Sequence, residues 1–366
     1  MNHRERFTSA MQHQTPDRVP IDIGATSLTG MRPECQRRLS DLLGFSGQPV
    51  PVNNGIDERI LRWAGTDFRS VGGIVSLPNR EFPQNGGASI DCWGIQRTLI
   101  DGESQITHYP LHHATIEDLR AYPWPEPRLD EAQLAQWETQ ARKLKQDNEY
   151  VVIAEHPVFG ILELGCWMCG YDDFLLKLAG DLDFVRTFFD IVFDLQMKVI
   201  EQYYAVLGPY IDLTTSGDDF GMQTGPLISP RAFKAVIAPY FKARIHRTKQ
   251  LSPCYYWHHS CGSVYALMEI LLECGVDILN PVQTSAARMD PITLKEAFGE
   301  NIVFWGGVDV QQFLRQASPA EVRQGIRELN QVLGRGGGYV MAPGHEMQKD
   351  IPPENIAAWV DTINVA

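Results

Sequence analysis

The chain has 366 residues, 44% of them hydrophobic and 21% charged, with a formal net charge of −13. That size and apolar content predict one large packed core or two ordinary ones. The acidic balance excludes a nucleic-acid groove, which needs a basic footprint, and gives no attraction to anionic membrane surfaces.

The polar start Met1–Phe7 is followed by no apolar run, and no later run is long enough to cross a bilayer, so a soluble cytoplasmic protein is expected. From Arg18 onward, short β-rich runs alternate with longer helical patterns. The predicted strands are Val19–Ile23, Asp67–Val71, Tyr150–Ala154, Tyr210–Thr215, Cys254–Trp257, Val276–Leu279, Ile302–Trp305 and Gly338–Met341. Several are nearly continuous apolar runs, as parallel strands covered on both faces require. Between them, Phe184–Val206 and Val264–Glu273 keep apolar residues at helical spacing, the second ending at Gly275, a C-cap candidate. Ser229-Pro230 and Ser318-Pro319 read as N-cap plus first-turn proline, and Glu321 completes a capping box.

This alternation predicts a (β/α)8 TIM barrel over residues 1–366 as one domain. Residues 73–128 interrupt it after the second strand. With Gly86-Gly87, a β-hairpin over Ile90–Leu99 and the proline-rich Tyr122–Pro127, they read as an insertion and connector. The seven cysteines, an odd number, predict reduced thiols. Cys166 and Cys169 have C-x-x-C spacing but no second pair, and they read as core thiols of a buried helix.

A barrel carries its chemistry at the C-terminal ends of its strands. Those ends hold Glu155 and His156, Asp218 and Asp219, His258, His259 and Cys261, Asn280 and Gln283, Asp309, and His345, Glu346 and Gln348. Of these, Glu155, Asn280, Gln283, Asp309 and Gln348 are candidate substrate-binding residues. His259 and Cys261 lie two apart and share strand parity, so both face one side, whereas His258 faces the other. A third ligand, His345, comes from the last strand end. Two imidazoles and a thiolate suit zinc, and three protein ligands leave a position open for chemistry. The competing reading is a core histidine, a buried cysteine and a capping histidine. In Ser216–Gly221, Asp218 and Asp219 are candidates for orienting a substrate or a ligating histidine, against a plain Asx turn. Gly334–Gly338 precedes a strand where a phosphate loop would follow one, and reads as a turn.

Several segments together resemble the uroporphyrinogen decarboxylase superfamily, which also contains zinc methyltransferases acting on corrinoid proteins. They are Arg4–Phe7 with Thr15–Pro20, Ile90–Gly94, Gly225–Pro230, His259–Gly262, Asp277–Pro281 and Asp350–Asn355. The resemblance spans nearly the whole chain and implies a barrel with a deep rim pocket, and a homodimer. In the methyltransferase branch a His-x-Cys pair and a Cys after the last strand bind zinc. His259 and Cys261 match the pair, while His345 stands where those enzymes have Cys. The decarboxylase branch has Gly-His after the last strand, like Gly344-His345, but also an arginine-rich early stretch. Here Gly24–Arg32 offers only Arg32. The resemblance therefore implies zinc-dependent methyl transfer between a small molecule and a corrinoid protein, with Asp218, Asp219 and His345 as candidate catalytic groups. The alternatives are a decarboxylase with His345 as proton donor, and a non-catalytic tetrapyrrole or corrinoid binder.

Overall fold

The structure, a computed structural model, describes residues 1–78, 88–100 and 103–364. Gly86-Gly87 lies outside the described residues. The strands are β1 (Phe68–Gly72), β2 (Ser89–Ile90), β3 (Gln96–Ile100), β4 (Glu103–His108), β5 (Val151–Glu155), β6 (Leu213–Gly217), β7 (Tyr255–His259), β8 (Ile278–Val282), β9 (Val303–Val308) and β10 (Tyr339–Pro343). A curled, all-parallel sheet runs in the order β1-β5-β6-β7-β8-β9-β10, with helices between successive strands. The fold is TIM-barrel-like.

The first predicted strand, Val19–Ile23, is reduced to a single bridging residue, Ile21, paired in parallel with Met341. Met341 N–H donates to the Pro20 carbonyl (2.9 Å), Asp22 N–H donates to the Met341 carbonyl (3.0 Å), and Asp67 N–H donates to the Ile21 carbonyl (2.9 Å). Ile21 therefore fills the gap between β10 and the start of β1. A longer strand is prevented because Pro20 has no N–H to donate, and because the Ile21 N–H is taken by the Asp67 carboxylate at 2.8 Å. Asp67 also binds His3, Arg6 and Arg18 at 2.7, 2.6 and 2.8 Å. This hub pins the N-terminal helix His3–Met11 to the base of the barrel.

The inner layer contains Phe68, Trp257 and Trp305, with ring centroids 4.5 Å (Phe68–Trp305) and 5.2 Å (Trp257–Trp305) apart. Phe7 of the N-terminal helix packs edge-on against Phe68 at 5.5 Å. The barrel is thus a filled core, and chemistry is left to its other end.

Most predicted strands occur one or two residues later than expected. The polar ends Glu155, Ser216, Gly217, His258, His259 and Asn280 belong to strands, because backbone pairing continues past the last apolar side chain. The expected hairpin is a three-stranded antiparallel sheet, β2-β3-β4. Its last strand carries no pattern in the sequence, because Ser104–Thr107 holds one apolar residue, Ile106, and so gives no alternation.

The long helix spans Leu182–Leu207, and Ser318 caps Pro319–Leu333 with the expected box. Ser229 caps only one α turn before a π-helical segment, Phe233–Ile237. Gly275 ends its helix in the left-handed region, but the first turn, Tyr265–Leu267, is 3-10. No helix among the described residues is long and apolar enough to cross a membrane.

Candidate metal centre

His259 closes β7 and shares the inward face with Trp257, while His258 lies on the outward face with Tyr256. The outward His258 donates to or accepts from Ser216 Oγ (2.9 Å) and stacks on Phe220. Cys261 follows after a turn that brings two loops into backbone contact. Gly262 sits at φ +78°, and a Cβ there would lie 2.5 Å from the Gly221 carbonyl carbon, so only glycine fits. His345 arrives from the loop after β10. One ligand atom from each of His259, Cys261 and His345 lies within 4.8 Å of the other two.

Cys261 Sγ is 3.3 Å from His259 Nε2. Ligands about 2.0–2.3 Å from a tetrahedral zinc lie roughly 3.3–3.8 Å apart, so this pair already has the spacing of a shared ion. His259 Nδ1 lies 2.6 Å from Asn280 Oδ1. The Asn280 amide is oriented by donating Nδ2–H to the Trp305 carbonyl at 3.3 Å. An oxygen therefore faces Nδ1, so Nδ1 carries the hydrogen and Nε2 presents a lone pair toward Cys261.

His345 fits with one adjustment. Its Nδ1 accepts the Glu346 N–H at 2.8 Å, which in a neutral ring puts the hydrogen on Nε2. Binding an ion requires that bond or that tautomer to change. Burial and the neighbouring His259 lower the His345 pKa to about 4, so the ring is neutral at pH 7, as a ligand must be. Burial, with Asp219 and Glu163 nearby, pushes the Cys261 thiol up. A divalent cation reverses that balance by stabilising the thiolate.

The acids divide by role. Asp219 Oδ1 accepts the Cys261 N–H (2.7 Å) and lies 3.8 Å from His259 Nε2. Asp218, its neighbour, points away and is fully buried. It accepts the amides of Leu162 (3.1 Å) and Glu163 (2.9 Å), capping the helix Ile161–Cys169 from outside. Burial raises Asp218 to about 6, with Arg244 and these amides pulling the other way. A Cβ on Gly160 would fall 2.1 Å from the Asp218 Cγ, so this close approach needs glycine.

The mouth of the barrel is a cavity of about 550 Å³ reached by Glu155, His156, Asp219, His259 and His345. Glu155 is held by Ser27 Oγ (2.6 Å) and Ser70 Oγ (3.1 Å), and burial raises its pKa. On the far side of the ligand trio, a cleft of about 70 Å³ is lined by Cys261, Gln283, Asp309 and His345. Gln283 Oε1 accepts the Gly262 N–H at 2.7 Å. Asp309 Oδ1 accepts the amides of Gln311, Gln312 and Phe313, and Gln348 donates to the Glu346 carbonyl.

Of the five candidate substrate-binding residues, the structure brings only Glu155 to the larger cavity. Asn280 contacts the ligand His259 instead. Glu163, Trp167 and Phe159 also line the mouth and were not among the candidates. The signal that could have found Glu163 is a lone acid inside Ile161–Cys169, an otherwise apolar helix whose Cys166 and Cys169 are buried free thiols.

The family model for uroporphyrinogen decarboxylase (URO-D) matches residues 101–365. The chain belongs to the uroporphyrinogen decarboxylase family. Similar relatives named uroporphyrinogen decarboxylase include one from Magnetococcus marinus, 29% identical over 138 residues, or 37% of this chain and 35% of that one. Another, from Psychromonas ingrahamii, is 28% identical over 97 residues, 26% of each chain. The matched segments thus span about a quarter to a third of these relatives' length. A solved methyltransferase from Methanosarcina mazei has the same fold, with TM-score 0.65 and 14% identity over 100% of this chain and 99% of that one. The curated relatives are thus named as decarboxylases, and the methyltransferase shares the fold.

Proposed function

We propose that this URO-D family member is a zinc-dependent methyltransferase that moves a methyl group between a small molecule and a corrinoid presented by a partner protein. The observation that carries this reading is the convergence of His259, Cys261 and His345 within 4.8 Å, from two strand ends far apart in the chain. A zinc ion held there would lower the pKa of a thiol or water placed at its open position. His259 would hold the ion through Nε2, because Asn280 occupies its Nδ1 side. Asp219 fixes the Cys261 backbone and places negative charge beside a centre that, with one thiolate, keeps net positive charge. The wall of the mouth, from Glu155 to Trp167, positions the small molecule and limits water around it.

A second reading, a decarboxylase that uses His345 as a proton donor, has one observation in its favour. The Glu346 N–H on Nδ1 leaves Nε2–H as a donor. Against it, the described residues lining the mouth include three carboxylates and no Lys or Arg, a poor host for a carboxylated substrate. Metal analysis separates the two. The zinc reading expects close to one zinc per chain in the purified protein, lost in Cys261→Ser together with chelator-sensitive activity. Metal far below stoichiometry, unaltered by that substitution, removes it.

A further inference from the structure

We infer that the barrel mouth takes an organic cation, an alkylammonium group, and that Glu163 is the carboxylate that meets its positive charge. This names the substrate class of the site described above and rests on that reading only for the chemistry that follows binding.

Two of the three carboxylates in the mouth are already answered. Glu155 has its hydroxyl donors, Ser27 and Ser70, at 2.6 and 3.1 Å. Asp219 accepts the Cys261 amide and lies against His259, so it is matched to the ligand trio and to any cation held there. Glu163 differs. Its backbone N–H is spent on Asp218, and its largely buried carboxyl lines the cavity with the Asp219 backbone N–H as a donor but no cationic side chain paired to it among the described residues. A buried carboxyl without a cationic partner is costly and is stabilised by an incoming positive charge. Burial, then Asp219 and Asp218, hold its pKa well above the ordinary carboxylate range, a penalty that a bound cation relieves.

The surroundings suit an alkylated ammonium better than a small hydrated ion. Phe159 and Trp167 both line the mouth, packed edge-to-face with centroids 5.0 Å apart. Aromatic faces attract cations, most strongly where water is excluded. The Trp167 ring already has a cationic neighbour, the Arg97 guanidinium, 5.6 Å from its centroid. Arg97 does not compete for Glu163, because it is ion-paired to Asp91 on the insertion sheet. Arg32, the other cation near the rim, pairs with Glu346 at 3.0 Å. The cavity, about 550 Å³, is large enough for a substituted ammonium with room for a second reactant.

Three probes of similar size and different charge test this on the full-length protein: tetramethylammonium, tert-butanol and pivalate. Calorimetric titration is expected to rank them in that order. Glu163→Gln should weaken tetramethylammonium by at least about tenfold, with tert-butanol and the zinc content unchanged. Pivalate binding as tightly as the cation, no cation binding at all, or equal cation binding in Glu163→Gln would each overturn the inference. Because the three probes are ranked on the unaltered protein, the test does not depend on the variant folding. Zinc content is read separately. A protein without zinc that still binds the cation through Glu163 refutes the methyl-transfer reading and leaves this one standing.

Discussion

Asn280 is the residue through which the metal reading can be tested without touching a ligand. Replacing it by Leu keeps most of its volume but removes the Oδ1 that lies 2.6 Å from His259 Nδ1 and the Nδ2–H that serves the Trp305 carbonyl. The His259 ring then loses the contact that selects its tautomer, and a fraction of rings present Nε2–H toward Cys261 in place of a lone pair. Losing a partner that orients a ligating histidine costs about 10–100-fold in metal affinity, or roughly 1.4–2.7 kcal/mol. A separate cost falls on folding, because His259 Nδ1–H and the Trp305 carbonyl lose a buried partner, about 1–3 kcal/mol each. The two costs are read by different assays. Competition with a chromophoric chelator gives the zinc dissociation constant, and urea unfolding of the metal-free protein gives stability. Zinc affinity within twofold of the unaltered protein, in a variant shown by urea to be folded, would falsify the claim that Asn280 sets the binding tautomer of His259.

Two further outcomes follow from buried groups. Gly160→Ala drives a methyl into the Asp218 carboxyl, 2.1 Å from its Cγ, and forces that cap off the amides of Leu162 and Glu163. A loss of about 1–3 kcal/mol in urea unfolding is expected, and an unchanged midpoint would mean the cap does not hold that helix. Asp22, fully buried, has its pKa pushed up to about 7 by burial, which outweighs the Ala25 amide, Thr29 and the Trp305 indole N–H. A folded-state pKa above the unfolded one means this group's contribution is fully present below about pH 4 and is lost as pH rises through 7. The unaltered protein should therefore lose stability relative to Asp22→Asn across that window, by up to about 4 kcal/mol. A difference between the two proteins that stays constant with pH would count against the buried, proton-holding Asp22.

The sequence by itself determined the architecture and singled out His259, Cys261 and His345, which the structure brings within 4.8 Å of one another. Strand cores such as Val151–Ala154 and Val303–Trp305 are apolar on both faces, and that local pattern survives folding unchanged. Parity alone separated His259 from His258, because side chains alternate along a strand whatever it packs against. Only the tertiary structure decided the roles of the acids. Asp218 and Asp219 are adjacent and chemically identical, yet one caps a helix and the other braces the Cys261 turn. Asn280 is a candidate substrate contact by its place at a strand end, and only the pairing of β7 with β8 sets its Oδ1 against His259 Nδ1. The first strand shrank to Ile21 because its pairing is set by Pro20, Met341 and Asp67, residues up to 320 positions away. Glu163 stands out in the sequence only as a lone acid in an apolar helix, and packing alone turns that acid toward the mouth. Short-range patterns are legible because backbone geometry enforces them. The partner of a polar side chain is fixed only when distant segments meet.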